Sequence, residues 1–147
     1  MQNQAHKQIT LYSDGSSLGN PGPGGYGGIL EFKGKRKEYA GGEAHTTNNR
    51  MELQAVIEGL KLLKEPCSVE VVSDSSYVVK AINEWLEGWI RKGFKKVKNV
   101  DLWEAYLDAA SPHRVHGTWV RGHDGHPENE RCDALARNEA ERIKAIL

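Results

Sequence analysis

Apolar and polar residues alternate through "QITLYSD", residues 8–14. That two-residue period predicts a half-buried strand ending at Asp14. "YGGILEF" (26–32) reads as a second strand, Lys33-Gly34 as a turn, and "KRKEYAGG" (35–42) as a third. Short connections make the three an antiparallel meander. The period then changes. In "TTNNRMELQAVIEGLKLLKE" (46–65), Met51, Ala55, Leu60 and Leu63 recur at helical spacing, with Thr47 or Asn48 as the cap and Pro66 beyond the end. "SVEVVSD" (68–74) is apolar enough for a buried strand that stops at Asp74. "SSYVVKAINEWLEGW" (75–89) reads as a helix interrupted by Gly88. "NVDLWEAYLDAA" (99–110) reads as another, with Leu102, Trp103, Tyr106 and Leu107 on one face and Pro112 after it. "RVHGTWV" (114–120) is the last strand, and 127–147 the last helix, with Pro127 in its first turn.

The order β-β-β-α-β-α-α-β-α predicts an α/β fold of one domain, residues 1–147. Its sheet is mixed and five-stranded, antiparallel through strands 1–3, parallel through strands 1, 4 and 5, and flanked by helices. In open sheets of this kind ligands bind beyond the carboxyl ends of the strands, which points at Asp14 and Asp74.

Composition narrows the function. Lys and Arg number 20 and Asp and Glu number 20, so charge alone does not coat this protein onto nucleic acid. The average hides "RKGFKKVK" (91–98), with five cations and no acid. No apolar run is long enough to cross a membrane, and "MQNQAHKQ" lacks the apolar core of a signal peptide. Cys67 and Cys132 are too few and too far apart for a disulfide framework. A soluble, cytoplasmic monomer is expected.

Gly22, Gly24 and Gly27 spell G-x-G-x-x-G. A dinucleotide loop of that pattern must lead into a helix. Here a strand follows, so a hairpin connection through Pro21, Gly22, Pro23 and Gly24 is expected. Gly15 and Gly19, near Asp14, admit a close backbone approach.

Four carboxylates remain: Asp14, Glu52, Asp74 and Asp133. Adjacent strands lie about 4.8 Å apart, so Asp14 and Asp74 can meet. Glu52 begins the helix before strand four, and Asp133 lies two turns into the last helix. Each has a plainer role: a turn at Asp14-Gly15, a helix cap at Asp74, dipole compensation at Glu52, and an i, i+4 pair of Asp133 with Arg137. Together, four acids without cations would raise one another's pKa values unless a hard cation joined them. Oxygen-only ligands select Mg²⁺, with Mn²⁺ as a substitute. Two such ions about 4 Å apart suit in-line phosphoryl displacement. Zinc on His123, His126 and Cys132 lacks further ligands at ordinary spacing. His123, in a glycine-flanked loop, suits proton transfer, whereas His126 suits capping or packing.

"SDGSSLGNPGPGGYG", "TTNNRMEL", "SDSSYV", "KNVDLW" and "RGHDGHPENERCDALA" resemble, in order, the blocks of a bacterial type 1 ribonuclease H, from about Ile9 to Ala136. The resemblance implies a ribonuclease H-like fold. It also implies an endonuclease that uses two Mg²⁺ ions to cut the RNA strand of RNA–DNA hybrids, leaving 5′-phosphate and 3′-hydroxyl ends. Asp14 would hold both ions, Glu52 and Asp74 one, and Asp133 the other. His123 would serve proton transfer or product release. RNA contacts fall on Gly15, Ser17, Asn20, Asn48 and Asn49, and Glu52 is also placed near the 2′-hydroxyl. Thr47 is placed on a DNA phosphate. Trp85, Trp89 and Phe94 interleave with Arg91, Lys92, Lys95, Lys96 and Lys98, matching the family's basic DNA-binding protrusion. Three departures stand out. The stretch between Phe94 and Val97 is short. Ser76 replaces an amide found in relatives. No long tail and no added hybrid-binding domain are expected after the last helix. The rivals are a non-catalytic hybrid-binding module and a junction resolvase of the same superfold. The four acids argue against the first, and "TTNNRMEL" against the second.

Overall fold

The structure, a computed structural model, describes residues 6–147. Residues 1–5, on which part of the signal-peptide reading rests, lie outside them. The strands are β1 (Lys7–Ser17), β2 (Gly22–Phe32), β3 (Lys35–Thr46), β4 (Cys67–Ser73) and β5 (Arg114–Trp119). The helices are α1 (Asn48–Lys61), α2 (Ser76–Lys80), α3 (Leu86–Arg91), α4 (Val100–Ala110) and α5 (Pro127–Ala145), with a π turn, Ala81–Trp85, between α2 and α3.

The sheet order is β3-β2-β1-β4-β5. Pairing is antiparallel from β1 through β3 and parallel from β1 through β4 to β5, as the element order requires. Successive strand residues face opposite sides. A Cβ on Gly24 would meet Met51 of α1, whereas one on Gly25 would overlap the Ala136 carbonyl of α5. The two helices therefore cover opposite faces. Leu11, Val69 and Val71 of the sheet form the main core with Leu53, Ile57 and Leu60 of α1 and with Trp103 of α4.

Several boundaries differ from expectation. β1 does not end at Asp14: it runs on to Ser17, because Asp14 to Ser17 pair with Gly27 to Gly24. The "PGPGG" stretch is accordingly mostly strand rather than turn. The connection is confined to residues 18–21, closed by the Leu18 N–H donating to the Pro23 carbonyl at 2.7 Å. The glycines serve close packing, since α5 lies where side chains on Gly25 would stand. β3 extends to Thr46, beyond Gly42. α1 ends at Lys61 instead of Glu65, because the N–H groups of Leu62 and Leu63 turn back to Gly59 and Leu60. The helix through 75–89 breaks at the π turn, and Gly88 sits inside regular α3. Leu107 is half-buried, while Leu102, Trp103 and Tyr106 carry the buried face of α4. Among the described residues no helix is long and apolar enough to cross a membrane.

Candidate active site

Asp14 sits in central strand β1 and is 6 % exposed. Its Oδ1 accepts the Gly15 N–H at 3.0 Å. Glu52, on the first turns of α1, is also 6 % exposed. A Cβ at Gly15 would overlap the backbone of Met51 and Glu52. The close approach that the glycine allows is thus made by the protein's own helix, and it brings Glu52 onto Asp14. Asp74 follows β4, the parallel neighbour of β1. It does not cap α2, because the Ser75 hydroxyl accepts the Val78 N–H. Instead its carbonyl accepts the Trp119 indole N–H at 3.1 Å. Asp14, Glu52 and Asp74 each offer a carboxylate oxygen within 4.8 Å of the others.

Asp133 lies outside that group of three but lines the same cleft as Asp14, Asp74 and His123. Its Oδ2 accepts from Arg137 Nε at 3.0 Å, so the plainer i, i+4 pair does form. His123 adopts a left-handed backbone, φ 57°, and is exposed at the cleft. His126 stands at the N-cap of α5, yet its side chain makes no capping bond. Cys132 is fully buried, and the zinc set does not assemble among the described residues. Arg121 and Asn129 also line the cleft. Sequence reasoning did not single them out, although both lie within the quoted "RGHDGHPENERCDALA" block.

The electrostatics follow from burial. Asp14 is pushed up from 3.8 to about 8, first by desolvation and then by the charge of Asp74, with Asp133 adding. Desolvation, then Asp14 and Asp74, raises Glu52 well above the usual carboxylate range. Glu52 Oε1 is buried without a hydrogen-bond partner. None of the three forms an ion pair among the described residues. Clustered, oxygen-only and short of positive charge, the set fits a hard divalent cation.

A second cavity gathers Asn20, Thr47, Asn48, Asn49, Lys98 and Asn99. Thr47 is the cap of α1, its Oγ1 accepting from Arg50 N at 3.3 Å. Asn20 Oδ1 accepts the Asn48 N–H at 3.1 Å, so the loop after β1 is tied to the start of α1. Ser17 stays outside this cavity, donating its hydroxyl to the Gly19 carbonyl. Asn99, a left-handed residue, was missed as a lining residue even though "KNVDLW" contains it. It accepts from Arg50 at 3.3 Å and donates to Tyr77 Oη at 3.1 Å.

The basic segment splits by burial. Arg91, Lys92, Lys95, Lys96 and Lys98 are exposed, and none pairs with an acid among the described residues. Trp89 and Phe94 pack against the core. Trp85 stands out, 39 % exposed, with its ring centroid 5.9 Å from that of Trp89.

Comparison with known proteins gives the family and the fold. The family model described as RNase H matches residues 6–141. The chain is 86 % identical over 147 residues to the ribonuclease H of Sulfurovum sp. (strain NBC37-1), covering 100 % of both. It is 56 % identical over 136 residues to the ribonuclease HI of Helicobacter pylori (strain ATCC 700392 / 26695), covering 92 % of this chain and 95 % of the other. Among solved structures, LC9-RNase H1, a type 1 RNase H with the type 2 active-site motif, superposes with a TM-score of 0.87 at 32 % identity, over 97 % of this chain and 76 % of that one. LC11-RNase H1, solved in complex with RNA/DNA hybrid, gives a TM-score of 0.65 at 26 % identity, over 91 % and 97 %.

Proposed function

The chain belongs to the RNase H family of hydrolases, and we propose that it is an endoribonuclease that cuts the RNA strand of RNA–DNA hybrids, leaving 5′-phosphate and 3′-hydroxyl ends. One observation carries the reading: three carboxylates, two of them buried and Asp74 half-buried, with oxygens within 4.8 Å of one another and no ion pair among the described residues. Asp14 would hold two Mg²⁺ ions, Glu52 and Asp74 one of them, and Asp133 the other, with Mn²⁺ as a substitute. When bound, the ions supply an activated water and stabilise the leaving 3′ oxygen.

The chain's own residues do the rest. Burial of Asp14 and Glu52 keeps bulk water away from two of the ligands. Arg137 holds Asp133 by one oxygen. His123, at the cleft, serves proton transfer or product release. Gly15, Ser17, Asn20, Asn48 and Asn49 meet the RNA sugars, where a 2′-hydroxyl separates RNA from DNA. Thr47, Trp85, Trp89, Phe94 and the cations Arg91, Lys92, Lys95, Lys96 and Lys98 take the DNA strand. Support comes from the shared cavity of Asn20, Thr47, Asn48 and Asn49 and from exposed cations that pair with no acid among the described residues.

We also propose a monomer that works in the cytoplasm, where two free, buried cysteines stay reduced.

The test is one assay. Hybrid, double-stranded RNA, double-stranded DNA and single-stranded RNA are each incubated with Mg²⁺ and with EDTA. Only hybrid in Mg²⁺ should be cut, and Asp14→Asn should bind hybrid without cutting it. Full cleavage by that variant would end the metal-carboxylate scheme.

A further inference from the structure

The π turn decides which side chains between α2 and α3 face the core. Regular α spacing from Val78 would carry burial through Ile82, Trp85 and Trp89. Ile82 and Trp89 do pack against the core, but the buried positions pass from Val78 and Ala81 to Leu86, at 8 %, and Trp85 between them is turned outward. A π turn closes i to i+5, so it rotates every side chain that follows it.

Asn83 lies at the centre of this turn. Its Nδ2 donates to the Gly117 carbonyl at 2.9 Å, and its Oδ1 accepts the Gly117 N–H at 2.8 Å. One amide side chain, with its donors and acceptor, thus supplies both bonds of a missing neighbour strand. Gly117 belongs to β5, an edge of the sheet, and an edge strand otherwise leaves such groups unpaired. Two residues on, the Trp119 indole bonds the Asp74 carbonyl. The Asn83 clamp therefore joins the segment that carries Trp85 to the strand that ends beside a catalytic carboxylate.

We propose that Asn83 is a positioning residue: its two bonds to Gly117 hold the π turn in register, and so hold Trp85 at a fixed place relative to Asp74. The inference rests on the reading that Trp85 and Trp89 take the DNA strand of the hybrid. Asn83 is itself exposed and touches no reacting group.

The experiment compares wild type, Asn83→Leu, Asn83→Asp and Asp14→Asn. Steady-state KM and kcat on hybrid are measured together with Tm and with the hybrid dissociation constant in EDTA. Asn83→Leu loses both bonds, and it should raise KM and the dissociation constant together by about fivefold with kcat within about twofold, about what the loss of one or two neutral hydrogen bonds allows. Asn83→Asp keeps the acceptor for the Gly117 N–H, and at high salt, where its charge is screened, it should recover part of that loss. A lower Tm in Asn83→Leu with KM and the dissociation constant unchanged would overturn the proposal and leave Asn83 as edge protection only. Loss of cutting confined to Asp14→Asn bears on the catalytic reading, and an unchanged KM in Asn83→Leu bears on this one, so the two fail separately.

Discussion

Gly15 of β1 and Glu52 of α1 are so close that a Cβ on the glycine would overlap the glutamate's backbone nitrogen. The contact is backbone against backbone, so no side-chain rotation relieves it. Gly15→Ala must push the start of α1 away from the sheet and carry Glu52 off Asp14. A stability loss of about 1–3 kcal/mol follows from such overpacking. The stabilisation expected from Mg²⁺ on the proposed reading should shrink as well. Urea melts of both forms, with Mg²⁺ and with EDTA, check the two effects. An Ala variant that keeps the full Mg²⁺ response would show that α1 does not need this approach to hold its carboxylate.

The pushed-up Asp14 gives a pH signature to the metal-free protein. The group ionises near 3.8 when free and near 8 when folded. Between those values the folded chain holds a proton that the unfolded chain has released. This group's contribution to stability is thus full below about pH 4 and is lost as pH rises towards 8. In EDTA, Tm should be higher at pH 5 than at pH 8 once other groups are accounted for by the Asp14→Asn control, whose slope should be flatter. On the proposed reading Mg²⁺ would replace the proton as countercharge, so its stabilisation should be larger at pH 8. Calorimetry across that range decides it, and identical slopes for both proteins in EDTA would contradict the account.

Much of this was readable in the sequence because it rests on local patterns. Strand alternation, helical spacing and the βαβ order fix the sheet order, and with it the meeting of Asp14 and Asp74 on neighbouring strands. What was not readable depends on contacts between distant segments. The strand character of Gly22 to Gly25 comes from pairing with β1 and β3, where turn-forming residues are overridden by the ladder. The π turn has no Gly or Pro of its own. Its place is marked instead by Asn83 reaching Gly117, 34 residues away. The pair of Asp133 with Arg137 was visible as an i, i+4 spacing, and the family resemblance already put the same carboxylate at the site whose cleft it lines.

The five exposed cations at 91–98 should matter for binding and little for chemistry. Replacing Arg91, Lys92, Lys95, Lys96 and Lys98 by Ala should raise KM for hybrid far more than it lowers kcat, because the interactions lost are made before and during the chemical step alike. The salt dependence of KM should also flatten, by roughly 0.7–0.9 in the log–log slope for each phosphate contact removed. Measuring KM from low to moderate salt separates this from a folding defect. An unchanged KM at low salt would remove the segment from the DNA contact.

Trp85 and Trp103 test how the aromatic residues are divided between binding and folding. Trp103 has no exposed surface. It meets Tyr77, Trp89 and Tyr106 edge to face at 5.9, 5.6 and 5.6 Å, and its indole N–H donates to Tyr77 Oη at 2.9 Å. Trp103→Ala should therefore cost about 3–5 kcal/mol of stability. Trp85 lies tilted against Trp89, with ring centroids 5.9 Å apart, and is 39 % exposed. Trp85→Ala should leave the urea midpoint close to that of the native chain. A stacked aromatic contact to nucleic acid is worth about 1–3 kcal/mol, so KM should rise about tenfold or more with kcat little changed. Urea melts and steady-state kinetics on the same preparations give both numbers. If Trp85→Ala lost stability in the manner of Trp103→Ala while KM stayed constant, the outward ring would be a packing residue, and the π turn would have no binding purpose.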